Sequence, residues 1–180
     1  MMVAGTAAIF AIGAGVAAWG GVPLHRQLGD PARGIAIGVA ATVPMAAALL
    51  WFMRAEAAAI RRFRNDQIEF LSGLGFRLTP FRVLLIGLVA GIGEEALFRG
   101  ALQTLAAERL PLAAAIVAPN LLFGALHAKS WAYAVITALA GCWFGAAFVF
   151  AGSLWAPMVA HGLYDMVALE IARREIRRRR

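Results

Sequence analysis

Gly34-Ile35-Ala36-Ile37-Gly38-Val39-Ala40-Ala41-Thr42-Val43-Pro44-Met45-Ala46-Ala47-Ala48-Leu49-Leu50-Trp51-Phe52-Met53 runs for 20 residues without a charged side chain. A helix rises about 1.5 Å per residue, so about 20 apolar residues match the roughly 30 Å hydrocarbon thickness of a bilayer. The stretch reads as a membrane-spanning helix. Working outward from it, residues 3–23, 83–106, 111–128, 131–152 and 154–171 form five further apolar segments of spanning length. The whole chain agrees with them: 180 residues, 62% hydrophobic and 15% charged, with a mean hydropathy of +0.75. That is too apolar for an ordinary soluble domain. The expected fold is all-α, a polytopic transmembrane bundle of about six spans forming a single membrane domain over residues 1–180.

Charge distribution sets the expected orientation. Arg54, Arg61, Arg62, Arg64, Arg77 and Arg82 fall in the connection 54–82, Lys129 in a short turn, and Arg173, Arg174 and Arg177 to Arg180 at the C-terminal end. The opposite side keeps only Arg26, Arg33 and Arg109. The positive-inside rule therefore predicts both termini in the cytoplasm, N-in and C-in. The first segment lacks a basic n-region and exceeds a usual signal-peptide core, so it is expected to be a retained helix.

The net charge of +7 is explained by basic flanks facing anionic lipid headgroups, which leaves no call for nucleic acid as a partner. In 54–71, Ala57, Ile60, Phe63, Ile68 and Leu71 lie near one helical face with arginines between them, the pattern of an interfacial amphipathic helix. The connection 54–82 is thus expected as a cytoplasmic basic amphipathic link, and 172–180 as a basic cytoplasmic tail. Cys142 stands alone beside Gly141 and Trp143 and reads as a packing residue. One lysine against sixteen arginines is the usage of a GC-rich prokaryotic genome, so the expected location is the plasma (inner) membrane, multi-pass.

The weaker third and sixth spans are weaker because they hold ionisable groups. Gly93-Glu94-Glu95-Ala96-Leu97-Phe98-Arg99 places three charges within six residues of an apolar segment. Each costs at least about 2.5–3.5 kcal/mol at bilayer depth, so the default expectation is a functional site. Adjacent helical positions diverge by about 100°, so Glu94 and Glu95 cannot both face one reacting point. One faces the reaction and the other anchors. His127 ends the fourth span with Asn120 two turns earlier, and His161 and Asp165 share a face of the sixth at i and i+4. Polar groups in lipid turn toward the bundle interior or a wet cavity, so the three helices are expected to converge. Glu95 with Arg99 alone could be a buried ion pair, and His161 with Asp165 a hydrogen bond along one helix. The coincidence of all three groups favours chemistry. A glutamate in an apolar setting beside a second carboxylate is suited to general-base work.

In order and helical placement, Glu94-Glu95-x-x-x-Arg99, Phe123-x-x-x-His127 and His161-x-x-x-Asp165 resemble the motifs of the CAAX protease and bacteriocin-processing (Abi) family of glutamate-dependent intramembrane endopeptidases. The resemblance covers roughly 80–170, the expected catalytic core. It implies that Glu94 and His127 activate a water for attack on a peptide carbonyl. It implies also that His161 and Asp165 bind the substrate carbonyl and stabilise its oxyanion. Glu95, Arg99 and Asn120 would be supporting residues, with Glu95 and Arg99 holding the helix and tuning Glu94. The family often has asparagine where this chain has Asp165. An ionised carboxylate cannot donate to an oxyanion, so Asp165 would be protonated, orient His161, or bind a metal.

The expected reaction is hydrolysis of a peptide bond in a membrane-associated protein or peptide substrate, with no cofactor favoured. A zinc-dependent version would use His127, His161 and Glu94 or Asp165 as ligands, although the local HExxH pairing is absent. Two other classes use such residues. A proton-coupled transporter would need a path through the bilayer and commonly shows related halves, and a non-enzymatic immunity or scaffold protein would need shape rather than a base.

Overall fold

The computed structural model describes residues 2–179, which are helical throughout their regular structure, with no strand among them. Helix α1 spans Met2–Trp19, and a 3-10 turn at Leu24–Leu28 leads into α2, Pro31–Arg54. Helix α3 is Ala58–Ser72. Helix α4, Pro80–Glu95, passes without a break into a π-helical segment, Ala96–Gln103, and a last α turn, Thr104–Ala107. Helices α5, Leu112–Leu126, α6, Trp131–Ala151, and α7, Trp155–Arg178, complete the chain.

Local chemistry explains the helix starts. Asp30 accepts from the backbone N–H of Ala32 and Arg33, with Pro31 at the first helical position. Thr79 before Pro80 and Ser130 before Trp131 cap α4 and α6 in the same manner. Helix α6 ends at Gly152, whose φ of 62° is left-handed. The α7 end differs from the expected boundary near 171, because the helix continues to Arg178. Glu170 ties Arg173 and Arg174 to it at 2.6–2.7 Å, so the basic residues 172–178 continue the helix.

Helix α7 lies between α2 and α4, and glycine lets both backbones come close. A Cβ at Gly38 would stand 2.6 Å from the Ala156 carbonyl oxygen, and one at Gly91 2.6 Å from that of Met158. Small residues four apart are the usual device for close packing of helices in lipid. The same spacing runs Gly87, Gly91, Glu95, so the face of α4 that packs on α7 carries Glu95 into the interior. Ala41, Phe144, Ala147 and Ala160 form one core cluster, and Ala17, Val22 and Ala101 a second where α1 meets the π segment.

Two charges lie in the interior while large apolar side chains lie outside. Glu95 and Arg99 are fully buried, while Val39, Val43 and Leu50 of α2, Leu84 and Leu88 of α4, Leu121 of α5 and Leu139 and Phe150 of α6 lie on the outside. Exposed apolar side chains around buried charges suit lipid as the surrounding solvent. Helices α2 and α6 are each long and apolar enough to cross a membrane, whereas Ala8–Trp19 and Leu112–Leu126 are apolar but shorter. Helix α3 matches the amphipathic pattern expected of the connection: Ile68 is buried, Phe63 and Leu71 are partly buried, and Arg61 and Arg62 are exposed.

Candidate active site

The π-helical segment begins directly after Glu95. Such segments are rare and concentrate at functional sites. Its wider turn changes which carbonyls the backbone satisfies: Arg99 O accepts from the Thr104 hydroxyl at 3.1 Å and Gly100 O from Gln27 Nε2 at 3.0 Å. Arg99 points inward from this segment. Its Nη1 donates to Glu95 Oε1 at 2.8 Å, and its Nη2 donates to Asn120 Oδ1 at 2.8 Å and to the Gly141 carbonyl at 2.7 Å. Phe98, Phe123 and Phe144 surround the guanidinium at 5.2–5.9 Å. Four helical segments are joined at this one side chain.

Glu95 Oε1 also accepts from His161 Nδ1 at 2.7 Å, across 66 residues of chain. The Phe144 ring stacks on the imidazole at a centroid distance of 4.8 Å and 16° between planes, and Phe123 meets it edge-on. A buried row therefore runs from Asn120 through Arg99 and Glu95 to His161. With Nδ1–H committed to Glu95, only Nε2 of His161 is left to face the cavity. Orientation of an imidazole by a buried carboxylate is the same arrangement that fixes the histidine of a catalytic triad.

Glu94 turns the other way, as one residue of helical rotation requires. Its Oε2 lies 3.8 Å from His127 Nε2 and 4.0 Å from His161 Nε2. Asp165 Oδ2 is 3.6 Å from the same His161 nitrogen. His127 caps the end of α5, and its Nδ1 bonds the Phe123 carbonyl at 2.8 Å, so Nδ1 carries the proton and Nε2 presents a lone pair in the neutral ring. Glu94 Oε2 is buried with no direct hydrogen-bond partner. Separations of 3.6–4.0 Å are too long for direct bonds and of the length that one bridging water spans.

The structure thus brings together Glu94, His127, His161 and Asp165, the four residues expected to converge. The supporting residues pair with one another: Arg99 with Glu95, the pair expected to hold the helix, and Asn120 with Arg99. Among the described residues no group of three or more His, Cys, Asp or Glu side chains is arranged to hold a metal ion. Sequence reasoning missed Phe144, the Gly141 carbonyl and the π segment. Gly141 had one visible signal, a small residue in the middle of an apolar span. A Cβ there would stand 3.0 Å from Arg99 Nη2 and closer still to the Asn120 amide.

A cavity of about 560 Å³ reaches this site from between α2, α3, α6 and α7. Its walls are mainly apolar, with Met45, Phe52, Phe63, Ile136 and Leu169 among them, and Asp165 and Tyr164 line its side toward the catalytic groups.

Against models of known families, residues 76–167, just over half of the chain, match the Rce1-like family, described as type II CAAX prenyl endopeptidase Rce1-like. The match includes Glu94, Glu95, Arg99, Asn120, His127, His161 and Asp165. No curated protein and no solved structure matches the chain.

Proposed function

The chain belongs to the Rce1-like type II CAAX prenyl endopeptidase family, and we propose that Glu94 and His127 activate the water with which it hydrolyses a peptide bond. Membership makes it a membrane protein and an endopeptidase of the CAAX type, acting on a peptide or protein. The carrying observation is the convergence of Glu94 Oε2 with the Nε2 atoms of His127 and His161 within 4.0 Å, while each imidazole is held by its own Nδ1.

The assigned roles follow from donor and acceptor logic. A water between Glu94 Oε2 and His127 Nε2 donates one hydrogen to each acceptor, which leaves an oxygen lone pair for a substrate carbonyl. Glu94 takes the proton as the tetrahedral intermediate forms. His161, acting as an imidazolium with a proton on each ring nitrogen, donates Nδ1–H to Glu95 and presents Nε2–H to the developing oxyanion. The proton held by Glu94 passes to the leaving amine, which completes hydrolysis. Asp165 orients the His161 ring from the cavity side. The metal-free version is favoured because the local HExxH pairing is absent, and metal analysis of active protein decides between it and the zinc version with His127, His161 and Glu94 or Asp165.

Around this core we place about six crossings, N-in and C-in, in a prokaryotic plasma membrane. Basic residues of α3 and the end of α7 meet anionic headgroups. The apolar exterior and the arginine distribution support that topology. The substrate is a membrane-associated protein or peptide, with a bacterial membrane-linked peptide favoured over a prenylated protein. Separate Glu94→Ala and His127→Ala proteins, inserted in liposomes, are each expected to lose cleavage by about 10²–10⁴-fold. Retained cleavage in both variants would remove the assignment.

A further inference from the structure

The cavity that ends at Asp165 holds two cations in its lining, Arg64 and Lys129, and they are used differently. Arg64 Nη1 donates to the Met53 carbonyl at 2.7 Å and lies near those of Phe52 and Ala55, so it closes the end of α2. Lys129 binds no carboxylate and no carbonyl among the described residues. Its ammonium stands over the Phe70 ring at 3.5 Å and the Tyr133 ring at 4.7 Å. Aromatic faces attract a cation but accept none of its three N–H bonds in a directed way. Burial without a counter-ion also pushes the Lys129 ammonium below its usual pKa. A partly desolvated cation with unspent donors is completed by an anion.

Position says which anion. Lys129 follows His127 by two residues, at most about 7 Å from Cα to Cα. The cavity has the Asp165 carboxylate at its catalytic end, apolar walls along its length, and this ammonium in its lining. An extended peptide advances about 3.3 Å per residue, so a chain with its carbonyl at His161 brings a group a few residues further on to Lys129. We propose that Lys129 is a specificity residue that binds the α-carboxylate of an apolar substrate C-terminus seated in this cavity. The assignment rests on the protease reading above for its direction along the cavity. The anion site itself is testable without cleavage.

Lys129 is the only lysine in the chain, so amine labelling located by mass spectrometry reads this side chain alone. The probes are an N-acetylated apolar tripeptide with a free C-terminus and the same tripeptide as its amide, added to the full chain carrying Glu94→Gln in nanodiscs of neutral lipid. The acid is expected to protect Lys129 about tenfold better than the amide, the size of one charge-assisted hydrogen bond. Equal protection by acid and amide overturns the proposal. Protection that follows anionic lipid in the nanodisc and ignores the peptide also overturns it, assigning the ammonium to headgroups.

Cleavage supplies the second arm, with lipid-anchored apolar peptides, prenylated and unprenylated, offered to unaltered protein as acid and as amide. Lys129→Gln is expected to lower kcat/KM for the acid about tenfold, mainly through KM, while Lys129→Arg keeps the preference for the acid. A residue that only clips α3 in place would change both substrates alike, and that result counts against the proposal. Absence of cleavage of every substrate speaks against the protease reading, and the labelling result still decides Lys129.

Discussion

Glu94 and Glu95 are neighbours in sequence and belong to two different environments. On the sealed side, Glu95, Arg99, Asn120 and His161 Nδ1 are joined by direct bonds of 2.7–2.8 Å, with Glu95 and Arg99 at 0% exposure. On the open side, Glu94, His127 and Asp165 keep 15–34% of their side-chain surface and stand 3.6–4.0 Å from their partners. Short direct bonds fix geometry on the sealed side, where Glu95 Oε2 and Arg99 Nε are buried without a partner of their own. Wider spacing around an unpaired oxygen leaves room for a reactant. About 100° of helical rotation between consecutive residues is enough to divide an expensive pair of charges into a frame and a reactive face.

The comparison can be broken from the sealed side first. Arg99→Ala leaves Glu95 as an uncompensated buried charge, which is expected to cost about 3–5 kcal/mol of stability. Unfolding in mild detergent, followed by circular dichroism, measures this. A loss below about 1 kcal/mol would mean that the buried row does not hold the bundle. Gly141→Ala is expected to be milder, about 1–3 kcal/mol, because its methyl must displace the Asn120 amide or Arg99 without removing either charge. The smallest effect belongs to the open side. His161 and Asp165 are an i,i+4 pair at 3.6 Å, worth under about 1 kcal/mol, so Asp165→Asn should change kcat/KM by less than about fivefold. A loss of several hundredfold would give Asp165 a direct part in the chemistry.

How legible each side was depends on where its signal lies. Charges in apolar segments exposed Glu94, His127, His161 and Asp165, because a bilayer penalises any ionisable group that has no reason to be there. Helix starts were written locally in Asp30-Pro31, Thr79-Pro80 and Ser130. The link from Glu95 to His161 was not readable, since it joins positions 66 residues apart and depends on how α4 meets α7. Arg99 was read as tuning Glu94, yet its other partners are an asparagine 21 residues away and a backbone carbonyl, and a carbonyl has no sequence signature. The π segment was equally hidden, because its register is chosen by packing against α1 and α5 and not by residue type. Lys129 appeared only as one more cytoplasmic charge until Phe70 and Tyr133 came together beneath it.

The division between the two glutamates is tested most directly by preparing Glu94→Gln and Glu95→Gln side by side and measuring both single-turnover cleavage and thermal unfolding. Glu94→Gln should keep the unfolding temperature of the unaltered protein and lose cleavage by about 10³-fold, the loss of a general base. Glu95→Gln should unfold at lower temperature, through its weakened bonds to Arg99 and His161, and retain more cleavage than Glu94→Gln. The reverse pattern, with Glu95→Gln stable but inactive and Glu94→Gln unstable but active, would contradict the account.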